Sequence, residues 1–595
     1  MSRSDTVPVI GTTHGQRART PDEPCCATAA QLAYLCRRTK QRHENDMINR
    51  TDKTVAAGLI LLVACLSALL YDRTFILIDE GHIATIAARM LDGQVLYRDV
   101  QTGIFPGVYY LTAALFGLFG EDIVVTRIAQ IGVNIATVVT LWRLGLRTVS
   151  PRWAVLAPLI YSAMIPLGFP VYVMFAYSGI ALLFGLASVL TTFRYLESGL
   201  AREGLLAGIL LALCALTKQN YGAFFGIGIA FALLWARPVS TLANTTVLRT
   251  FAPVIAGGAL TTLAGLLPLI IAGAGPRLVQ YSLLTIFDSQ LSAFDQPLPN
   301  ILGKLPMADG RWAFLYSPSI LFNYLIHGEP FLTVRVTQDL REMALRLGYG
   351  FALAPLILAP AARVFLRNDQ GALRNRLTDV VVVTGTVTFI GIFPSAIWSH
   401  LVAVLPPLLL LGAIVGDAVS NSPSPKTLRL AVTAAATVCT VALMVGAAAA
   451  TADLRRWNAE PIGNPHASLK VAPDNAVILR KAVSFLQDCA APGEPVYVAP
   501  DISGLFFLAD RPNPTQYDIL IPGDIDEHLL IEGLNAAGVE CMVYNPRLYI
   551  HFRELSVHFP MFTYFAENEF TPVAELESGG FRWLGLRRQI DPVPR

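Results

Sequence analysis

The sequence predicts a polytopic α-helical membrane protein with about 11 transmembrane helices and a C-terminal extracytoplasmic α/β domain. Of its 595 residues, 54% are hydrophobic and only 15% are charged, whereas an average soluble domain has about 25% charged residues. The mean hydropathy is +0.51, and apolar runs of membrane length recur along the chain. These observations argue against an ordinary soluble enzyme, a disordered scaffold or a disulfide-rich secreted module. The 45 basic residues are balanced by 43 acidic ones, so nucleic acid is not an expected partner.

Eleven apolar segments have close to the ~17–25 residues that a helix needs to cross a bilayer. They lie near 54–71, 126–146, 154–168, 174–193, 204–217, 221–236, 251–272, 347–365, 379–394, 400–418 and 429–450. A further apolar stretch, 104–119, contains Pro106 and two tyrosines, and it is predicted to lie on the membrane surface. If this stretch crossed the membrane, the Lys and Arg residues of every later loop would fall on the wrong side.

The distribution of charge divides the chain into three parts. Residues 1–53 are predicted to form a disordered cytosolic tail, and translation could begin at Met1 or at Met47. Residues 54–450 form the predicted membrane domain, with long external loops at 72–125 and 273–346. Because the cytoplasmic loops carry the Lys and Arg residues and the number of spans is odd, residues 451–595 are expected outside the cell membrane.

The predicted external domain, 451–595, has a mixed pattern. Helix-like stretches at 475–488 and 526–537 are interleaved with short apolar runs, which lie at 495–499, 504–508 and 539–544. This alternation predicts a small α/β domain. Cys489 and Cys541 lie in it on the oxidising side, and the sequence leaves open whether they form a disulfide or remain two buried thiols.

Two adjacent carboxylates, Asp79 and Glu80, directly follow the first predicted span. Charges at a membrane edge are costly unless they are solvated, paired or used in function. A structural alternative exists for the first of them, because Asp79 could cap the helix that begins near Gly81.

The motifs around this pair resemble the first external loop of the glycosyltransferase-C superfamily, which uses polyprenyl-phosphate sugars. The relatives include lipid A aminoarabinose transferases and protein O-mannosyltransferases, and the likeness is greatest to the branch of the rhizobial lipopolysaccharide sugar transferases. The motifs are, in order, Asp79-Glu80, Ala88-Arg89, Gly93, Tyr97-Arg98-Asp99 and Pro106-Gly107-Val108-Tyr109-Tyr110. In the family, the last of these begins a helix that lies on the membrane.

Weaker likenesses continue along the chain to its C-terminus. They are Thr217-Lys218 at a helix end, Ser399-His400 ahead of Leu405-Pro406-Pro407, and Arg511-Pro512-Asn513-Pro514-Thr515-Gln516-Tyr517-Asp518. Many relatives carry an acidic residue before the span at 174–193, where this chain has Phe175-Ala176-Tyr177-Ser178. Asp99 is the nearest candidate to replace that acid.

The resemblance implies an enzyme that transfers a sugar from a polyprenyl-phosphate donor to a glycan, lipid or protein acceptor. The reaction would take place on the extracytoplasmic side of a bacterial plasma membrane. An acceptor hydroxyl must lose its proton, so Asp79 is expected to be the general base, with Glu80 as a second catalytic residue. The leaving phosphate gains negative charge, which fixed cations stabilise. The candidate substrate-binding residues are Lys218, Arg98, His400, Tyr97 and Asp99.

Two other classes of function remain as alternatives, a secondary transporter and a non-catalytic envelope assembly protein. The span interiors have few charges and the halves of the chain do not repeat, which argues against the transporter. A carboxylate pair can also hold a divalent cation, so dependence on such a metal is left open, with His82 as a further donor. The sequence has no zinc-peptidase, Walker-type or serine-hydrolase motif.

Overall fold

The structure is a computed structural model that describes residues 53–285, 295–307, 310–366, 371–548, 553–578 and 581–589. Apart from Lys53, the predicted cytosolic tail lies outside the described residues, and so does Met47. Residues 58–595 form one compact unit, and the contacts that follow are contacts within it.

Helices make up most of the chain up to residue 457. They are α1 (Lys53–Leu70), α2 (Glu80–Leu91), α3 (Gly107–Phe119), α4 (Ile123–Thr148), α5 (Pro151–Ala154), α6 (Leu156–Leu167), α7 (Tyr177–Ser198), α8 (Ala201–Thr217), α9 (Gln219–Trp235), α10 (Val247–Ile271), α11 (Gly275–Val279), α12 (Gly310–Tyr316), α13 (Ser319–His327), α14 (Gln338–Phe365), α15 (Ala372–Phe389), α16 (Trp398–Asn421) and α17 (Lys426–Trp457). A π-helical turn, Gln280–Leu284, follows α11. A short hairpin of β1 (Pro330–Phe331) and β2 (Val334–Arg335) precedes α14.

Each of the eleven predicted spans corresponds to a helix, but the helices differ in length. Among the described residues, seven are long and apolar enough to cross a membrane, namely α1, α4, α7, α10, α14, α16 and α17. The others, α6, α8, α9 and α15, have 12, 17, 17 and 18 residues. The chain is therefore a multi-pass helical membrane protein, and the number of eleven crossings stays a prediction. Helix α3 has 13 residues, and its place on the membrane surface stays a prediction.

Local signals set several of the helix ends. Side-chain oxygens of Asp122, Thr246 and Thr337 accept hydrogen bonds from backbone N–H groups at the starts of α4, α10 and α14, which satisfies donors that have no partner within the helix. At the C-terminal end of α7, Gly199 has a φ of 70°, the left-handed conformation in which glycine commonly ends a helix.

The C-terminal region, residues 458–589, combines a sheet with helices. Its elements are β3 (Glu460–Pro461), β4 (Lys470–Val471), α18 (Pro473–Cys489), β5 (Tyr497–Ala499), α19 (Gly504–Ala509), α20 (Glu527–Ala536), β6 (Cys541–Tyr544), β7 (Arg547–Leu548), β8 (Arg553–Glu554), α21 (Pro560–Glu569), β9 (Phe570–Ser578) and β10 (Phe581–Arg588). The main sheet has the order β5-β6-β10-β9. Strands β5 and β6 are parallel, and the other neighbours are antiparallel. The apolar run at 504–508 forms the short helix α19. The sequence did not decide between helix and strand at this position, because a short, fully buried apolar run has no periodicity that separates the two.

The hydrophobic core of the C-terminal region continues into the first external loop. Phe75, Ala84 and Phe116 from that loop belong to the same buried cluster as Phe507 of α19. The rings of Phe116 and Phe507 are stacked with their centroids 5.5 Å apart. The core therefore crosses the predicted domain boundary at 450/451, and the first external loop lies between the membrane helices and the C-terminal region.

A disulfide joins Cys489, at the end of α18, to Cys541, at the start of β6, with the Cα atoms 6.1 Å apart. Of the two alternatives that the sequence leaves open, the structure has the bond. It links the first long helix of the C-terminal region to an inner strand of the main sheet.

We expect the double variant Cys489→Ser, Cys541→Ser to unfold more easily. The bond closes a separation of 52 residues, and a cross-link of this kind restricts the unfolded chain, so its loss lowers the free energy of unfolding by about 2–4 kcal/mol. Denaturant or thermal unfolding of the purified protein measures the change. The control replaces Cys65 and Cys439, both exposed free cysteines. An unchanged unfolding midpoint, or alkylation of both thiols without reductant, would contradict the expectation.

Candidate active site

Asp79 and Glu80 are neighbours in sequence, but they have different surroundings. Both stand at the start of α2, directly after the loop that leaves α1. Glu80 is 2% exposed, whereas Asp79 is partly accessible to solvent. Glu80 is therefore enclosed, whereas Asp79 as a residue keeps some exposure to solvent.

Glu80 forms a buried ion pair with Arg127 of α4. The guanidinium donates hydrogen bonds to both carboxylate oxygens of Glu80, and neither side chain is more than 3% exposed. Arg127 also donates to the backbone oxygens of Arg73, at 3.4 Å, and Thr74, at 3.2 Å. Arg127 thus ties the start of α2 to the beginning of the loop that leaves α1.

The Asp79 carboxylate makes no hydrogen bond that caps α2, so the structure does not support the capping alternative. Burial, and then the negative charge of Glu80, raise the pKa of Asp79 above its usual value, while the positive charge of Lys218 lowers it. A carboxylate whose pKa is raised is a stronger base, and this property suits it to accept a proton.

Lys218 occupies the single-residue break between α8 and α9. Its backbone is extended there, with φ −151° and ψ 106°, which turns the chain between the two helices. The ammonium group donates to Ser178 Oγ at 2.8 Å. It also lies 4.4 Å from the ring centre of Tyr221 and 5.2 Å from that of Tyr177. Two aromatic faces and a hydroxyl therefore hold the cation in place.

The motif Pro106-Gly107 meets the break at Lys218. A Cβ atom on Gly107 would lie 2.7 Å from the backbone oxygen of Leu216, so this close approach requires a glycine. At the first residue of α9, Gln219 Nε2 donates to the oxygens of Gly103, at 2.7 Å, and Ser282, at 3.1 Å. Two motifs that are more than 100 residues apart in the sequence thus come together, and both flank the cation.

His400, at the start of α16, lies at the same site. Its Nδ1 is 2.6 Å from the backbone oxygen of Ser395. The charge of Lys218 acts on both His400 and Asp79, so the structure gathers these three predicted residues from distant parts of the chain.

The motif Tyr97-Arg98-Asp99 has mixed exposure. Tyr97 is fully buried, has a φ of 66°, and donates its hydroxyl to the oxygen of Ile104 at 2.7 Å. Arg98 is exposed and pairs with Asp99 at 2.8 Å. The hydrogen bond from Arg98 lowers the pKa of Asp99, which disfavours Asp99 as a proton acceptor.

Sequence reasoning did not identify three of the groups that shape this site. Tyr177 and Ser178, which hold Lys218, replace the acidic residue that relatives carry, and their position there was the only available signal. Arg127 was also missed, although an isolated charge within a predicted span is a sign of a buried partner.

Among the residues that the structure describes, no three His, Cys, Asp or Glu side chains are grouped so that they could hold a metal ion. The ring of His82 is close enough to Asp518 and Arg89 to interact with their charges, and burial lowers its pKa to about 4.

Part of the chain is similar in sequence to a known protein family. Residues 104–260 match the model of the dolichyl-phosphate-mannose-protein mannosyltransferase family, a segment that runs from α3 into α10 and includes Lys218. A comparison with curated protein sequences finds no significant match.

Solved structures with a similar fold include the archaeal oligosaccharyltransferase from Archaeoglobus fulgidus, in complex with an inhibitory peptide and a dolichol-phosphate. Its TM-score is 0.51 at 11% identity, over 91% of this chain and 75% of that one. The ArnT protein of Cupriavidus metallidurans, bound to undecaprenyl phosphate, has a TM-score of 0.38 at 13% identity, over 91% and 99%. The mycobacterial arabinofuranosyltransferase AftD has a TM-score of 0.41 at 14% identity, over 91% and 40%.

The first external loop of this chain, its helical membrane region, the family match over 104–260 and the fold shared with the archaeal enzyme agree with one another. The chain therefore has the fold of the glycosyltransferase-C superfamily of membrane proteins, as the motifs around Asp79 predicted.

Proposed function

We propose that this protein transfers a sugar from a polyprenyl-phosphate donor to a hydroxyl of an envelope glycan, lipid or protein acceptor. The observation that carries the proposal is the pairing of a carboxylate, Asp79, with a fixed cation, Lys218, whose positive charge lowers the pKa of Asp79. A base for the acceptor and a cation for the leaving phosphate are the two groups that this transfer requires.

Each bond change has a residue to serve it. The acceptor oxygen forms a bond to the anomeric carbon, and its proton passes to Asp79. The bond between that carbon and the phosphate oxygen breaks, and the electron pair leaves with the polyprenyl phosphate. The leaving phosphate thereby gains negative charge, which Lys218 stabilises because its aromatic and hydroxyl contacts hold it in place before the reaction.

Glu80 has a different role in this proposal. Both of its oxygens accept from Arg127, and the side chain is buried, so it is shielded from an acceptor hydroxyl. It anchors the start of α2, and its negative charge adds to the raised pKa of Asp79. Glu80 therefore supports the base and is not a second one.

The other predicted substrate-binding residues divide by exposure. His400 lies close to Lys218, whose charge acts on its ring, and it would contact the donor phosphate beside that cation. Arg98 is exposed, and Arg277 donates to its backbone oxygen at 2.6 Å, which leaves both guanidinium groups near the surface for a charged headgroup or acceptor. Tyr97 and Asp99 shape the loop that presents Arg98.

An apolar groove supports a lipid-linked donor. It lies between α3, α4 and α7, and its lining is Leu111, Leu115, Ala129, Gly132, Val133, Phe175, Ile180, Leu183 and Phe184. Tyr177, whose ring contacts Lys218, lies on α7 at helical spacing from Ile180 and Phe184. The groove thus continues from the cation along one helix face, as a phosphate with a polyprenyl tail would require.

The disulfide between Cys489 and Cys541 supports an extracytoplasmic site. Such bonds persist in oxidising compartments and are rare in the cytosol. Since the C-terminal region that contains the bond packs on the first external loop, Asp79 lies on the same side of the membrane.

We expect Asp79→Asn to reduce glycosyl transfer by about 10²–10⁴-fold, the usual contribution of general base catalysis, with donor binding retained. Transfer from a polyprenyl-phosphate sugar in detergent or liposomes measures the rate. Glu80→Gln is the comparison: it leaves Arg127 without its counter-charge, so it lowers the free energy of unfolding by about 3–5 kcal/mol and mainly reduces the yield of folded protein. Wild-type transfer in Asp79→Asn would refute the role of Asp79.

The pH dependence follows from the direction of the Asp79 pKa shift. The reaction needs the deprotonated carboxylate, so kcat/KM is lost as pH falls through a value above the ordinary 3.8. Because the charge of Lys218 lowers this pKa, Lys218→Met should move the acidic limb to still higher pH and also slow the reaction. A pH profile of kcat/KM with each protein measures both effects. An acidic limb that stays in place or moves to lower pH in Lys218→Met would contradict the assignment.

Filling the groove should discriminate between donors by tail length. A Cβ on Gly132 would meet no atom within 4 Å, so Gly132→Leu folds but occupies the groove. We expect KM to rise for a full-length polyprenyl donor and to stay unchanged for a short-chain analogue. The control is Gly58→Leu in α1, where a Cβ also has open space. Equal effects of the two variants would remove the groove from the donor site.

A further inference from the structure

The C-terminal region contacts the first external loop at several points along the chain on both sides of Asp79. The backbone contacts are Lys470 N to Asp72 O and Thr74 N to Lys470 O, both 2.8 Å, Gly504 N to Leu77 O at 3.2 Å, and Gln101 N to Gln516 O at 2.8 Å. Since backbone hydrogen bonds fix the path of both segments, the loop that carries Asp79 is attached to the C-terminal region both before and after α2.

One face of α2 lies directly on the C-terminal region. A Cβ on Gly81 would be 2.6 Å from Gly504 Cα, so the two backbones touch without side chains between them. One turn further on, Thr85 Oγ1 donates to the oxygen of Ser503 at 3.0 Å. These contacts define the register of α2 on α19.

The other face of α2 turns toward the membrane helices. With ~100° per residue, Asp79 and Ile83 lie nearly opposite Gly81. Ile83 and Ile86 belong to a separate buried cluster that includes Phe175 and Ile180, next to the residues that hold Lys218. Helix α2 is therefore enclosed between two hydrophobic clusters, and the position of the base depends on both.

Arg89, in the last turn of α2, joins the C-terminal region to this helix. Its guanidinium pairs with Asp518 and donates to the oxygen of Thr515 at 2.7 Å. It also reaches Gln94 Oε1, at 2.7 Å, and the oxygen of Asp99, at 3.2 Å. Both members of the ion pair are buried, and Asn513 Nδ2 donates to Asp518 from 2.8 Å.

The energetics of the buried Arg89–Asp518 ion pair indicate that it positions α2 and adds little to stability. A buried ion pair adds little stability compared with a well-packed apolar pair, because both charges lose their water. It does impose one geometry, since a planar guanidinium with four acceptors has few alternative arrangements. Arg89 thereby fixes α2 relative to both the loop at 94–99 and the C-terminal segment 513–518.

We propose that Arg89 and Asp518 are positioning residues for glycosyl transfer, and that their contact makes the C-terminal region an essential part of the active centre. The inference rests on the proposed function. The pair holds the last turn of α2 on the C-terminal region, and the rigid helix carries that constraint to Asp79 at its other end, which faces Lys218.

The test compares Arg89→Gln, Arg89→Lys and Asp518→Asn with the control Arg582→Gln, whose ion pair with Glu575 is exposed in the same region. We expect kcat to fall about tenfold or more in the first three variants, because displacements of ~1 Å can cost about 10²-fold. The KM for the donor should change little. Each of these variants disturbs a buried ion pair and so lowers the free energy of unfolding as well, and kcat is therefore measured per mole of folded protein. Arg89→Lys should retain more activity than Arg89→Gln, and the control should match the wild type.

A double variant separates positioning from a general loss of structure. If Arg89 acts through Asp79, then adding Arg89→Gln to Asp79→Asn causes no further loss of the residual transfer. If the two losses multiply, or if kcat is unchanged in all three single variants, the positioning role is refuted. Wild-type transfer in Asp79→Asn alone would instead refute the proposed base, so failure of the inference and failure of the proposed function give different results. Should Arg89→Gln yield no folded protein, Asp518→Asn provides the same comparison.

Discussion

The structure around the site depends on how two adjacent carboxylates are accommodated at the edge of a membrane. Charge at this depth must be paired or solvated, and Asp79 and Glu80 meet the requirement in different ways. Glu80 is neutralised by the buried guanidinium of Arg127, which fixes the start of α2. Asp79 keeps some exposure to solvent, and the positive charge of Lys218 lowers its pKa. One residue of the pair therefore provides structure, which leaves the other free for chemistry.

The first external loop has a packed partner on each side. On the membrane side, Pro106-Gly107 meets the break between α8 and α9, where Lys218 is held by Ser178 and two tyrosine rings. On the other side, the C-terminal region shares its core with the loop. A base and a cation that come from separate helices keep a fixed relation because both are attached to the same loop.

The sequence predicted much of this arrangement and missed parts of it for physical reasons. Apolar runs located the helices, but their length alone did not decide which ones cross, as α6 with 12 residues illustrates. Asp79, Lys218 and His400 were identified from motifs, whereas Arg127 and Ser178 had only positional signals, because their partners come from distant segments. The hairpin of β9 and β10 had a signal that was overlooked, the Gly579-Gly580 pair between two strand-like runs. The fit of Arg89 to Asp518 depends on tertiary packing between segments 429 residues apart.

The most direct test of the central claim is an experimental structure of the full chain with bound polyprenyl phosphate. The account predicts that the phosphate lies within hydrogen-bond distance of Lys218, that the tail follows the groove along α7, and that Asp79 faces the vacant sugar position. A phosphate bound away from Lys218, or an Asp79 carboxylate closed off from that position, would contradict it.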